Sequence, residues 1–187
     1  MSETAVKKEP GMATLVLVLF AISAIVALLL GVTNMITKPY IDANAEKTKQ
    51  AAMAEVLPAD GYEEVEYTGG DGTVDAVYRA GDAGWVVQVT PATSFSGTLS
   101  VMVGVDMEGK CTGVSIVATG ETSGLGSNAS KPAFKDQFIG KSGTLAVSKD
   151  GGEIDAITGA TITSRGVTES VNSALAAAAS KIGRAHV

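Results

Sequence analysis

The sequence predicts an α+β domain, an antiparallel sheet with packed helices, tethered behind a single N-terminal transmembrane helix. Three features lead there. No charged residue occurs from Gly11 to Thr37. Short valine-rich runs punctuated by glycine and aspartate follow from Tyr62. Near the C-terminal end Val167, Val171, Leu175, Ala178 and Ile182 recur at helical spacing. Such a pattern is that of an amphipathic helix laid on a sheet.

The apolar core from Met12 to Val32 would span about 31 Å as a helix, enough to cross the hydrocarbon of a bilayer. A cleaved signal peptide has a shorter apolar region followed by a small-residue cleavage site. This run is longer and flows into a polar helical pattern, so the expectation is an anchor. Lys7 and Lys8 precede it, while Lys38, Asp42, Glu46, Lys47 and Lys49 mix charges after it. That bias favours a cytoplasmic N-terminus at residues 1–11, a span at 12–34 in the plasma or inner membrane, and the remainder on the extracytoplasmic side.

A juxtamembrane helix is expected over 35–58, with Ile41, Ala45, Ala52, Val56 and Leu57 at broadly helical spacing and Pro58 ending it. It reads as spacer and packing element. The folded domain is expected over 59–182, an ordinary domain size. "YEEVEYT", "TVDAVYRAG", "GWVVQVTP", "GTLSVMVGVD" and "CTGVSIVAT" read as strands. The break from Asp106 to Lys110 suggests a hairpin. "KPAFKDQFIG" reads as a short helix with Phe134 and Phe138 on one face, and "GTLAVSKDGGEIDAIT" as a return to strand and turn.

A net charge of -6 argues against nucleic acid as a partner, because phosphate binding needs clustered lysine and arginine. The single cysteine, Cys111, can form no internal disulfide and cannot hold zinc or an iron–sulfur cluster alone. It lies in a strand-like run and reads as inert core, as do Trp85 and the tyrosines. No metal site is expected. The closing "KIGRAHV" matches the translation of a widely used DNA sequencing adapter, so residues 183–187 are read as an artefact or tail. The only histidine, His186, falls there and carries no catalytic argument.

The chemistry concentrates in "DAITGATITSRGV", Asp155 to Val167. Thr161, Thr163 and Ser164 fall where the last helix should begin, and one of them can serve as its N-cap. Thr158-Gly159-Ala160-Thr161 supplies small residues directly before a helix N-terminus, an arrangement that also suits an anion such as phosphate. It is not a P-loop, since no Gly-Lys-Ser/Thr follows at the required spacing. A second glycine-rich element, "GETSGLGS" from Gly120 to Ser127, is either a plain turn or a loop that reaches a flat ring, with Leu125 packed on it. Together the two elements suggest a nucleotide-like ligand between two loops.

"DAITGAT" matches the Asp-x-x-(Ser/Thr)-Gly-Ala-Thr signature of covalently flavinylated FMN-binding domains, and "GETSGLG" is similar to their Glu-Thr-Pro-Gly-Leu-Gly loop. The single span, "VLP", "GVDMEGKCTGV" and "FKDQFIGK" agree as well, so the resemblance covers nearly the whole chain. Within the family it looks most like the G-type subunits of Rnf ion-translocating ferredoxin:NAD oxidoreductases. The resemblance implies an electron-carrying subunit among other membrane subunits, with FMN esterified through its phosphate to Thr161 by a separate flavin transferase using FAD. It implies a recognition turn of Asp155, Thr158, Gly159 and Ala160, and a ring site lined by Glu121, Thr122, Gly124, Leu125 and Gly126. Ser123 stands where the family has proline. "ATSFSG" also departs from the family pattern, so Phe95 is not assigned to the site. The alternatives are the C-type subunit of sodium-pumping NADH:quinone oxidoreductases, or a domain that binds its ligand non-covalently or serves as a scaffold.

Overall fold

A computed structural model describes residues 11–69, 72–95 and 98–185 of the chain. Lys7, Lys8, the Ser96-Gly97 pair and His186 lie outside them. The chain divides into two compact units between Glu46 and Lys47.

The first unit consists of helix. Helix α1 (Met12–Val56) is 45 residues long and continues past the boundary into the second unit. From Met12 to Glu46 every side chain is exposed. The apolar stretch is long and apolar enough to cross a membrane, and in lipid a helix satisfies all its backbone hydrogen bonds within itself. The span and the juxtamembrane segment, expected as separate elements, form one helix with Pro39 inside it. Thr33 and Thr37 donate their hydroxyls back to the carbonyls of Leu29 and Thr33, 2.8 Å each.

In the second unit, strands β1 (Glu63–Val65), β2 (Val74–Arg79), β3 (Gly84–Val89), β4 (Ser100–Asp106) and β5 (Cys111–Ala118) form a five-stranded sheet in sequence order, antiparallel throughout. The expected hairpin joins β4 to β5, with Asp106 Oδ1 accepting from the backbone N–H of Glu108 and Lys110 (2.9 and 2.8 Å). Strand residues alternate between faces, and both faces are covered, which is why β4 reads as an almost unbroken apolar run. Val77, Val87, Val101, Val103 and Val105 share one core with Val167, Val171, Ala174 and Leu175 of the last helix. Tyr78, Val86 and Met102 share a smaller one with Ala52, Met53, Val56 and Leu57 at the end of α1.

That second face has a notch. Gly104 and Gly113 are register partners in β4 and β5. A Cβ on Gly104 would lie 2.5 Å from the carbonyl oxygen of Val56, and one on Gly113 would lie 3.1 Å from its Cα. The two glycines let the end of α1 seat directly on the sheet, and the Thr112 hydroxyl donates to that carbonyl at 2.6 Å. Ser115 donates to Glu55 at 2.6 Å, and Lys135 pairs with the same carboxylate.

After β5 come a 3₁₀ turn (Gly126–Ser130), helix α2 (Pro132–Lys135) and a further 3₁₀ turn (Asp136–Phe138). Phe134 and Phe138 are both buried and meet edge to face at 5.5 Å. The expected strand in "GTLAVSKDGGEIDAIT" does not form. Its Val147 and Ile154 share one isolated parallel bridge around a 3₁₀ turn, Ser148–Asp150. The apolar residues there signal burial rather than a ladder. Asn172 on the last helix satisfies both the N–H and the C=O of Leu145 at 2.8 Å, so a side chain takes the backbone groups a neighbouring strand would use. Helix α3 (Thr161–Ala185) closes the fold. Cys111 is buried, and burial pushes its thiol up to about 12.

Candidate functional site

The first turn of α3, the loop after β5 and the turn at Ser148–Asp150 converge on one cavity of about 340 Å³, lined by Phe95, Glu121, Thr122, Leu125, Gly126, Lys149, Gly159, Ala160, Thr161, Ile162 and Thr163. Small-molecule sites occupy roughly 300–1,000 Å³.

The approach to α3 is a tight turn in which Ala160 N–H donates to the Ile157 carbonyl at 3.0 Å. Gly159 takes φ +77°, a left-handed value that type II turns have at their third position and that glycine adopts without strain. The clustered hydroxyls then divide their work. Ser164, fully buried, accepts from the Ile157 N–H and donates to the Ala160 carbonyl, both at 2.9 Å, tying the turn to the helix. Thr163, 2% exposed, donates to Glu121 Oε2 at 2.6 Å. Thr161, half-buried at the cavity wall, accepts from Lys149 Nζ at 3.0 Å.

Glu121 is the joint between the loops. Its carboxylate accepts from Thr163 on α3 and from the backbone N–H of Phe95 at 3.1 Å, although the residue is only 8% exposed. Gly126 lies against it: a Cβ there would fall 2.7 Å from Glu121 Cβ and 2.8 Å from both Glu121 Oε2 and Thr163 Oγ1. The loop is also braced internally. Ser127 Oγ accepts from Gly124 N–H at 2.9 Å, and the Asn128 amide donates to the Gly124 carbonyl at 2.8 Å.

The turn carrying Lys149 is clasped to α3 by the neighbouring residue. Arg165 donates to both oxygens of Asp150, at 2.7 and 2.6 Å. The guanidinium holds the Asp150 carboxyl below its ordinary value, and the carboxylate raises that of Arg165 in return.

The structure thus brings Glu121, Thr122, Leu125 and Gly126 to one cavity with Gly159, Ala160 and Thr161. Gly124, Thr158 and Asp155 do not line it. Gly124 shapes the loop at φ +79°, and Thr158 is exposed on the turn. Asp155 is exposed too, its backbone N–H donating to Gln137 Oε1 at 2.7 Å. Phe95, set aside from the site on its sequence context, lies in the cavity wall. Lys149, Ile162 and Thr163 join it there. The helical position of Ile162 and Thr163 directly after Thr161 was a usable signal for those two, whereas nothing local points to Lys149.

Residues 94–176 match the family model described as FMN-binding domain. Fold and match define the class: an FMN-binding domain carried behind one apolar helix. The chain is 36% identical over 179 residues to the G-type subunit of the Na(+)-translocating ferredoxin:NAD(+) oxidoreductase complex of Acetobacterium woodii, covering 83% of this chain and 86% of the relative. It is 30% identical over 184 residues to the G-type subunit of the ion-translocating oxidoreductase complex of Aliivibrio fischeri, covering 87% of each. The chain belongs to the family of G-type subunits of ion-translocating oxidoreductase complexes. A solved structure of the C-type subunit of the Na(+)-translocating NADH-quinone reductase from Parabacteroides distasonis is 25% identical, covering 69% of this chain and 80% of that one, with a TM-score of 0.47.

Proposed function

We propose that the protein carries FMN as a permanent phosphoester on Thr161 and serves as the electron-carrying, membrane-anchored subunit of an Rnf-type ion-translocating ferredoxin:NAD oxidoreductase. The supporting observation is the position of the Thr161 hydroxyl, on the wall of a cavity that both glycine-rich loops line, and 3.0 Å from an ammonium group.

The residues present fit the cofactor. Phe95, Leu125 and Ile162 expose apolar surface at the cavity although each is a large hydrophobic residue, which suits the faces of a flat ring. The positive end of the α3 dipole and Lys149 suit a phosphate. Ala160 and Gly159 keep the approach to Thr161 free of bulk, while Glu121, Thr122, Gly124 and Gly126 shape the ring side. When bound, FMN supplies the redox chemistry; the protein sets its position and surroundings.

A threonine hydroxyl is a weak nucleophile unless a base or metal activates it. Lys149 donates to this oxygen, so it supplies no base. Attachment therefore falls to a separate flavin transferase drawing on FAD, with Asp155, Thr158, Gly159 and Ala160 as the turn it reads. A permanent bond suits a domain on the extracytoplasmic side, where a dissociated flavin is lost to the cell. Electrons then pass between other membrane subunits of the complex, with no soluble substrate turned over here. Intact mass under denaturing conditions tests this: the native chain gains one FMN less water in cells holding the transferase, and Thr161→Ala gains nothing. Flavin retained on the variant, or on another residue, refutes the assignment.

A further inference from the structure

We infer that Lys149 is the residue that holds the phosphoryl group at Thr161, during attachment and afterwards; this rests on the reading that Thr161 is the esterified residue. Lys149 Nζ lies 3.0 Å from Thr161 Oγ1. Among the described residues lining the cavity it is the cationic one. Arg165, one helical turn beyond Thr161, is engaged with both oxygens of Asp150.

Lys149 does not hang from a free surface loop. The turn beneath it is fixed by the Arg165 clasp, by Ser148 N–H to the Ile154 carbonyl at 2.7 Å, and by Asp150 N–H to the Val147 carbonyl at 2.8 Å. It ends at Gly151 with φ +83°. The carboxylate in the cavity has partners of its own, the Thr163 hydroxyl and the Phe95 N–H. Thr163, which binds Glu121, is two residues on from Thr161, and two positions on a helix turn the side chain by about 200°. The ammonium and the carboxylate thus each engage a different hydroxyl of the first turn.

The transfer balances as follows. The bond from Thr161 Oγ1 to the FMN phosphorus forms as the pyrophosphate P–O bond of FAD breaks. AMP leaves with that oxygen, and the hydroxyl proton passes to a base of the transferase. The diester left behind keeps one negative charge. Lys149 takes no part in the proton transfer, donating to the hydroxyl oxygen before transfer and to a phosphoryl oxygen after it. It is a positioning and charge-neutralising residue.

The test follows FMN incorporation by intact mass, using the full-length chain in detergent with a purified FAD-dependent flavin transferase, its metal and FAD. Lys149→Gln should load about tenfold more slowly than the native chain, the order that one exposed charge-assisted hydrogen bond supports. Lys149→Glu should be slower still, and Lys149→Arg should recover most of the rate. Rising salt should slow the native chain more than Lys149→Gln. Unloaded variants should melt with the native chain, separating this role from a structural one. A native chain that loads while Lys149→Gln loads equally fast overturns the inference, as does Lys149→Arg as slow as Lys149→Gln, or slow loading that tracks lost folding. A native chain that takes up no FMN refutes the parent reading instead.

Discussion

Replacing Thr163 by valine keeps the shape of a buried side chain and removes only the hydroxyl that donates to Glu121 Oε2 at 2.6 Å. Thr163 and Glu121 are 2% and 8% exposed, so the bond lost is a largely buried one. A lost hydrogen bond to a carboxylate in such a position costs about 1.5–3 kcal/mol. For a domain of this size each kcal/mol moves the melting temperature by about 2–4 °C, giving a drop of roughly 3–12 °C. Thr161→Val is the matched control. Its hydroxyl is bonded to an exposed lysine, and its loss should stay within about 0.5 kcal/mol. Thermal unfolding of both unloaded full-length variants in detergent reads the difference. A Thr163→Val protein that melts with the native chain, or a Thr161→Val protein that melts below it, refutes the division of labour between the two hydroxyls.

Gly126→Ala should destabilise by about 1–3 kcal/mol through overpacking against Glu121 and Thr163 and should lower the FMN yield; unchanged melting and loading would show that the loop yields freely. Partial burial pushes the Glu55 carboxyl up, but Lys135 and Ser115 outweigh it and hold it below its ordinary value. That contribution to stability is present above the unfolded-state value of about 4.3 and is lost as pH falls through the folded one. Melting of Glu55→Gln should therefore vary less than that of the native chain on acidification below that point. With its thiol pushed up to about 12, Cys111 should resist iodoacetamide at pH 8 in the folded protein and react once denatured, read by mass. Between the unfolded value, about 8.5, and that folded one, stability falls as pH rises, because only the unfolded chain releases the proton. Cys111→Ala should flatten that alkaline loss.

Periodic patterns carried much of the fold. An uncharged apolar run and an i, i+4 series need no tertiary information, and the apolar part of α1 and all of α3 follow from them, whereas the continuity of α1 through Pro39 does not. The β4–β5 hairpin was legible because glycine and aspartate break a valine pattern at one place. The segment from Gly143 to Thr158 misled, since buried valine and isoleucine look alike in a strand and in a loop pinned by Asn172. At the cavity, the two glycine-rich motifs could be read as sequence. Lys149 could not, because its place beside Thr161 depends on the Asp150–Arg165 clasp across 15 positions. Phe95 escaped for another reason. Its backbone N–H, which every residue type but proline offers, is the group that bonds Glu121.

The glycine notch decides where the protein can be cut. Because Val56 sits against Gly104 and Gly113, and Ala52, Met53 and Leu57 fill one face of the sheet, the last turns of α1 belong to the interior of the folded body. A water-soluble fragment that starts in the loop after Pro58 would bare an oily sheet face and a row of closely spaced backbone, whereas one that starts near Lys47 carries its own lid.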